Sequence, residues 1–329
     1  MMKRTSKWVL WIGILIFLAV YPRLFGPYFT NVFVQFAVFA LYAVSFNLLL
    51  GYTGLFSFGH AMYFGAGGYA TALALTHIKG CPLLVALLIG LLGAVVLSMV
   101  ICPIVVRVSG SAFAMLHLAF SMLMHTLALK LRGITGGEDG IGGFGVPPLN
   151  IPGVVSISMK DPMNFYYFAV VVLGLSLWVL WFLTKTPFGQ IMVSVRDNPK
   201  RVDYMGFKVP QTKAVVYGFS AAFAGVAGSV LTLFQDLVAA DGALGIGTSF
   251  QPILITMVGG TGSFFGPIWG SAIFQIIEEL TSRFTERVEL VVGLILIFVI
   301  MFAPLGFMGF VGFLKQKWSA RGIKRGVAA

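Results

Sequence analysis

Charge is what this sequence has least of. Asp, Glu, Lys and Arg make up 10% of its 329 residues, against about 25% in an ordinary soluble domain. Hydrophobic residues make up 58%, and the mean hydropathy is +0.95. So little polar surface cannot cover a fold in water, which excludes a soluble enzyme, a disordered chain, a collagen and a coiled coil. Cysteine is also scarce. Cys81 and Cys102 lie at opposite ends of one apolar run, about 30 Å apart along a helix and beyond disulfide reach. The four histidines, His60, His77, His117 and His125, show neither zinc-type spacing nor a cysteine partner, so no metal site is expected. His117 and His125 stand about two helical turns apart on one face, a spacing that suits packing or a polar pathway. No Gly-Lys dipeptide occurs, so the phosphate loop of nucleotide hydrolases is missing. The acids Glu138, Asp139, Asp161, Asp236, Asp241 and those from Glu278 to Glu289 fall at the ends of apolar runs or between them. Intramembrane carboxylates of the kind that couple ions to transport are therefore not evident, nor is any acid–base or nucleophile constellation. The chain reads as an all-α polytopic membrane protein, a passage without its own motor.

What is present is a series of apolar runs long enough to span a bilayer, which takes about 20 residues. They fall at 8–25, 28–50, 55–77, 83–106, 109–130, 164–184, 213–235 and 289–307. The first, behind Lys3, Arg4 and Lys7, mimics a signal peptide but lacks a small-x-small cleavage site, and is read as a retained span. The run 248–281 is interrupted at Gly259, Gly260, Gly262, Gly266 and Pro267. It is one long helix, two short spans or a re-entrant hairpin. Charge parity favours an even number of crossings. With two short segments there are about ten membrane segments and both termini are cytoplasmic. Fifteen of the 22 basic residues then face inside, as the positive-inside rule asks; a re-entrant hairpin has the same parity. The chain 1–329 is thus one transmembrane domain. It has an external loop at 131–163, a cytoplasmic segment at 185–213 and a basic cytoplasmic tail at 311–329. No soluble domain is evident, so any energy-converting domain is expected on another chain. The net charge of +11 is topological and implies the lipid bilayer, not nucleic acid, as partner.

The segment 185–213 carries the densest charge. Phe188, Ile191, Met192 and Val195 form the i, i+3, i+4, i+7 stripe of a short amphipathic helix. Asn198 reads as an N-cap with Pro199 at the first helical position, and Gly206 stands where a C-terminal cap belongs. Two such helices would present Val202 and Met205 beside Arg196 and Arg201. One reading is an interfacial connector resting on head groups. The other is a device seated in a groove on a cytoplasmic partner, which better explains why both ends are capped.

Four separated motifs carry a resemblance over about residues 30–310. They are Phe46-Asn47-Leu48-Leu49-Leu50-Gly51-Tyr52-Thr53-Gly54-Leu55-Phe56-Ser57-Phe58-Gly59-His60-Ala61, Thr135-Gly136-Gly137-Glu138-Asp139-Gly140-Ile141, the stretch from Gly189 through Arg196-Asp197-Asn198 to Met205-Gly206, and Met257-Val258-Gly259-Gly260 with Gly262-Ser263 and Gly266-Pro267. Together they resemble the permease subunits of branched-chain amino acid ABC transporters, LivM type. The resemblance implies a multi-pass permease of the bacterial inner membrane, paired with a LivH-type permease. Two ATP-binding subunits would carry the ATP and magnesium, and a periplasmic binding protein would deliver the ligand. This chain itself would bind no cofactor and perform no covalent chemistry. It also implies that Phe188, Ile191, Arg196, Asn198, Arg201, Val202, Met205 and Gly206 couple to the ATPase. A secondary transporter or channel acting without an ATPase is the alternative, and a membrane-embedded enzyme comes third. The substrate stays open among branched-chain amino acids, a broader amino acid set and a small amide such as urea.

Candidate pathway residues are Asn47, Ser57, Gly59, His60 and Gly65. They lie in the glycine-rich stretch 51–68, where a broken helix would line a cavity. Close packing through small residues explains the same glycines equally well, and a buried histidine with a structural partner explains His60. The ladders Gly262-Gly266-Gly270 and Ala221-Gly225-Ser229 suit packing. Asn47, Gln251 and Gln275 either join helices or touch substrate. The external loop around Glu138 and Asp139 is a flexible connector or a contact for the binding protein; its ligand run is too short for calcium.

Overall fold

The computed structural model describes residues 4–108, 110–151 and 155–284, and beyond them residues 290, 291, 293, 294, 297, 301 and 306–309. Most of the expected span 289–307 and all of the tail 311–329 lie outside the described residues. Helix α1 (Arg4–Asn47) is two arms joined at Gly26, whose φ of 76° and ψ of 175° no helix contains, between Pro22 and Pro27. A straight helix would hold Tyr21 and Phe33 about 18 Å apart. Their rings instead meet at 5.0 Å, so the chain folds back at the glycine, between the two spans expected there. After a π-helical turn at Leu48–Tyr52 the backbone is irregular from Gly54 to His60, and α2 (Ala61–His77) follows. The single span expected at 55–77 is therefore corrected. Its first six residues are not helical, because Gly54 adopts φ +69° and Gly59 packs directly on the carbonyl of His117.

Next come α3 (Leu83–Val105), α4 (Ser111–Lys130), the single turn α5 (Arg132–Thr135) and α6 (Pro162–Lys185). Asp161 caps α6 by accepting a hydrogen bond from the Met163 N–H at 3.1 Å, with Pro162 opening the helix, as its shape and charge favour. Two short helices, α7 (Pro187–Asp197) and α8 (Pro199–Tyr204), lead into α9 (Val209–Gln235). The single turn α10 (Ala240–Leu244) precedes α11 (Ile246–Gly259) and α12 (Gly266–Ser282). The broken run 248–281 is thus two short helices about a glycine turn. Six helical stretches among the described residues are long and apolar enough to cross a membrane.

Helices α2, α3 and α9 pack closely on one another, and small residues set their spacing. Gly67 lies on the backbone of Gly225, Gly228 on the carbonyl of Phe64, and Gly90 on the hydroxyls of Ser229 and Thr71. In lipid, where burying apolar surface gains nothing, such backbone approach is what holds helices together. The Ala221-Gly225-Ser229 ladder therefore packs as expected.

The two ends of the bundle each gather distant loops. At one end β1 (Ile141–Gly142) pairs antiparallel with β4 (Leu237–Val238), while β2 (Leu149–Ile151) and β3 (Val155–Ile157) form a hairpin. Asp236, at φ 50°, accepts from Gly143 N through its carbonyl at 3.0 Å and from Gly145 N through its carboxylate at 3.1 Å. The loop 131–163 is thus tied down at β1, not a free connector there, and its acids Glu138 and Asp139 face outward. The other end holds Gly51, Arg196 and the 260–263 turn.

Leucine at position 225 would collide with Ala94 and the backbone behind it. Gly225→Leu is expected to lower stability by about 1–3 kcal/mol through overpacking. Gly218→Leu on the same helix faces open space and should leave the thermal midpoint in detergent close to that of the wild type.

Candidate functional site

The α7–α8 segment is built as its sequence directs. Asn198 sits extended at φ −155° and its side chain accepts from the Arg201 N–H at 3.1 Å. At the far end Gly206 takes φ +87°, its N–H donates to Asp203, and the N–H of Phe207 donates to Val202, the paired bonds of a Schellman cap. Helix α7 turns Met192 and Val195 into the protein and leaves Phe188 and Ile191 half-buried.

One expectation is overturned here. Val202 is 2% exposed and lies beneath α8, not on its surface beside Met205. A helix of six residues has too few turns for its pattern to say which side will be covered. The outward side chains are Tyr204 at 88%, Met205 at 61% and Phe207 at 42% exposed, with Arg201 also exposed. Tyr204 and Phe207 escaped the sequence reading, although two aromatics within the most charged stretch were a visible signal.

Arg196 faces two ways. Its Nε and Nη2 hold Asp197 at 2.9 Å each, and Nη1 donates to the carbonyl of Gly51 at 2.6 Å. That carbonyl belongs to the π-helical turn at the end of α1; nearby Gly54 takes φ +69°, which favours glycine, and a side chain there would also press on the Arg196 stem. Thr53 serves the same turn by donating to the Leu49 carbonyl at 2.7 Å. Four residues before Gly51, Asn47 donates to the carbonyl of Ser263 at 3.2 Å. One chain of contacts therefore runs from α7 through Arg196, Gly51 and Asn47 to the turn between α11 and α12. In that turn Gly260 needs its φ of 103°, Gly259 and Gly266 touch backbone to backbone, and Pro267 opens α12. Gly262 is exposed and meets nothing, so only Gly266 and Gly270 of its ladder pack.

The pathway candidates Asn47, Ser57, Gly59, His60 and Gly65 all lie in the chain's own interior. His60 stacks on Tyr42 at 5.4 Å and its Nε2 meets Ser45 Oγ at 3.1 Å. Since Ser45 donates to the Tyr42 carbonyl at 2.7 Å, the histidine is assigned as the donor and Nδ1 is left an unpaired acceptor. The Ser57 hydroxyl and Asn47 Oδ1 are likewise buried without partners. Gly65 packs on Leu244. A second polar layer joins His117 Nε2 to the Tyr217 hydroxyl at 2.7 Å, with Tyr63 on the same hydroxyl. His125 stands apart, half-exposed and 2.7 Å from Asp241, so the two histidines do not share one pathway. Gln251 is half-buried and Gln275 buried, with Gln275 Oε1 unpaired. No group of three or more His, Cys, Asp or Glu side chains among the described residues could hold a metal ion.

Apolar spanning helices, a glycine-hinged pair of short helices and a capped helix pair beside them define a multi-pass membrane protein. The sequence profile of the branched-chain amino acid transport system permease component matches residues 28–303, and the chain belongs to that family. The high-affinity branched-chain amino acid transport system permease protein LivM of Salmonella typhimurium is 26% identical over 290 residues, covering 82% of this chain and 68% of that one. A probable LivM of Methanocaldococcus jannaschii is 23% identical over 296 residues, 79% of this chain and 83% of that protein. The probable LivH of the same organism is 33% identical over 142 residues, 42% and 44% of the two chains. No solved structure matches.

Removing the cap by Asn198→Ala is expected to cost α8 about 1 kcal/mol. Hydrogen exchange should quicken by about fivefold for amides between 201 and 207, with the spanning helices unchanged.

Proposed function

We propose that the chain is the membrane-spanning subunit of an ATP-driven importer of branched-chain or related amino acids. It lies in the bacterial inner membrane, with about ten membrane segments and both termini cytoplasmic. A LivH-type permease pairs with it, two ATP-binding subunits dock from the cytoplasm, and a periplasmic binding protein delivers the ligand. The family match across 28–303 supports this reading, as do relatives of both LivM and LivH kinds. The observation that carries the coupling role is the doubly capped α8 with Tyr204 and Met205 exposed at its end. A large apolar pair exposed within a basic stretch is what a groove on a partner would take up. ATP-driven displacement of the docked segment would bias the spans between outward- and inward-facing arrangements.

In this reading Arg196 is a strut. It does not meet the ATPase but hands the displacement of α7 to Gly51, and through Asn47 to the α11–α12 turn. The buried polar residues around His60 and His117 hold the bundle in register rather than line an open path.

The double variant Tyr204→Asp/Met205→Asp should insert normally yet lose co-purifying ATP-binding subunits, with uptake in reconstituted vesicles falling at least about tenfold. Wild-type uptake in that variant would overturn the docking role. Arg196→Ala should behave differently. The ATP-binding subunits stay attached, while uptake per ATP hydrolysed drops by about tenfold, the worth of one charge-assisted hydrogen bond. Arg196→Lys, which can still reach the Gly51 carbonyl, should recover part of it.

A further inference from the structure

Helices α3 and α9 touch closely near one end and part towards the other. Ala94 lies on Gly225, and Gly90 on Ser229. Past that crossing the facing residues grow to Met99 and Pro103 on α3 and Pro210 and Val215 on α9, and between them a cavity of about 520 Å³ opens. Gly218 forms part of its floor and has nothing within 4 Å of where a side chain would begin. The cavity is polar at one end only. Along its length the one hydroxyl, that of Ser98, is spent on the Val95 carbonyl at 2.7 Å. Its mouth carries Arg107, just beyond the end of α3, and Gln211 in the first turn of α9, both exposed. Among the described residues Arg107 has no carboxylate partner, no acid lines the cavity, and Lys208 lies two residues before Pro210.

We propose that this wedge binds one anionic phospholipid, an acyl chain lying between α3 and α9 and the phosphate held by Arg107 and Gln211. The chemistry matches at both ends. Between two spanning helices the solvent is hydrocarbon, and the apolar walls offer a lipid chain the contacts an empty wedge forfeits. A guanidinium at head-group level forks onto phosphate oxygens, and basic pockets between spanning helices select anionic head groups. A zwitterionic lipid would bring its own cation against Arg107, whereas phosphatidylglycerol brings only negative charge. The volume is that of a small-ligand site. The inference rests on α3 and α9 spanning the bilayer as proposed above, and its test reads lipid retention, not uptake, so the two can fail separately.

The assembled transporter, purified in mild detergent and equilibrated with equal parts phosphatidylglycerol and phosphatidylcholine, is weighed by native mass spectrometry. The wild type should retain phosphatidylglycerol preferentially. Arg107→Gln should lower that preference about tenfold, the worth of one charge-assisted hydrogen bond, while Gly218→Leu, which fills the floor, should reduce retention of both lipids. Equal retention of the two lipids by the wild type overturns the proposal. So does undiminished preference in Arg107→Gln, or full retention in Gly218→Leu.

Discussion

A break between helices leaves backbone groups that must find partners, and this chain has one between Asn47 and Ala61, running inward from the end of the bundle that holds Gly51 and Arg196. The architecture keeps most of it inside protein, with Gly54 exposed. The π-helical turn is closed by the Thr53 hydroxyl on Leu48 and Leu49, by the Leu55 N–H on the Leu49 carbonyl at 2.8 Å, and by Arg196 on Gly51. Gly59 then passes against α4, Phe58 meets Phe250 of α11 at 5.4 Å, and Ser220 of α9 reaches back to the Ser45 carbonyl at 2.6 Å. Every helix that encloses the break is thereby fixed relative to the others.

The same break places Gly51 on the proposed coupling route. A regular helix end would leave its last carbonyls to water or a simple cap. The π-helical turn instead offers Gly51 to a residue more than a hundred positions away, on the short helix next to the exposed Tyr204 and Met205. Asn47 and the Ser263 carbonyl extend the connection to a glycine turn whose helices touch backbone to backbone. Close-packed contacts transmit displacement because they have no slack.

Small residues do opposite work in different places on one helix. On α9, Gly225 and Ser229 let α2 and α3 approach to backbone contact, whereas Gly218 faces space and widens the wedge towards Arg107. The sequence pattern of a small residue every few positions is the same in both cases. What differs is the crossing point, and that depends on three helices at once.

Much was legible without a structure because it depends on local chemistry alone. Scarce charge and long apolar runs determined a polytopic membrane chain. The gap between the runs 8–25 and 28–50 marked where α1 folds back, Asn198-Pro199 and Gly206 delimited α8, and the glycines from 259 to 266 divided the 248–281 run. These signals are short-range, set by φ, by a missing N–H or by a cap. Only the tertiary structure decided that Val202 is covered while Tyr204 is not, that Arg196 holds Gly51, and that His60, Ser57 and Asn47 are buried in the chain's own interior. Each of those outcomes depends on which distant helix lies opposite. A periodic pattern tells which face is apolar but not what will cover it.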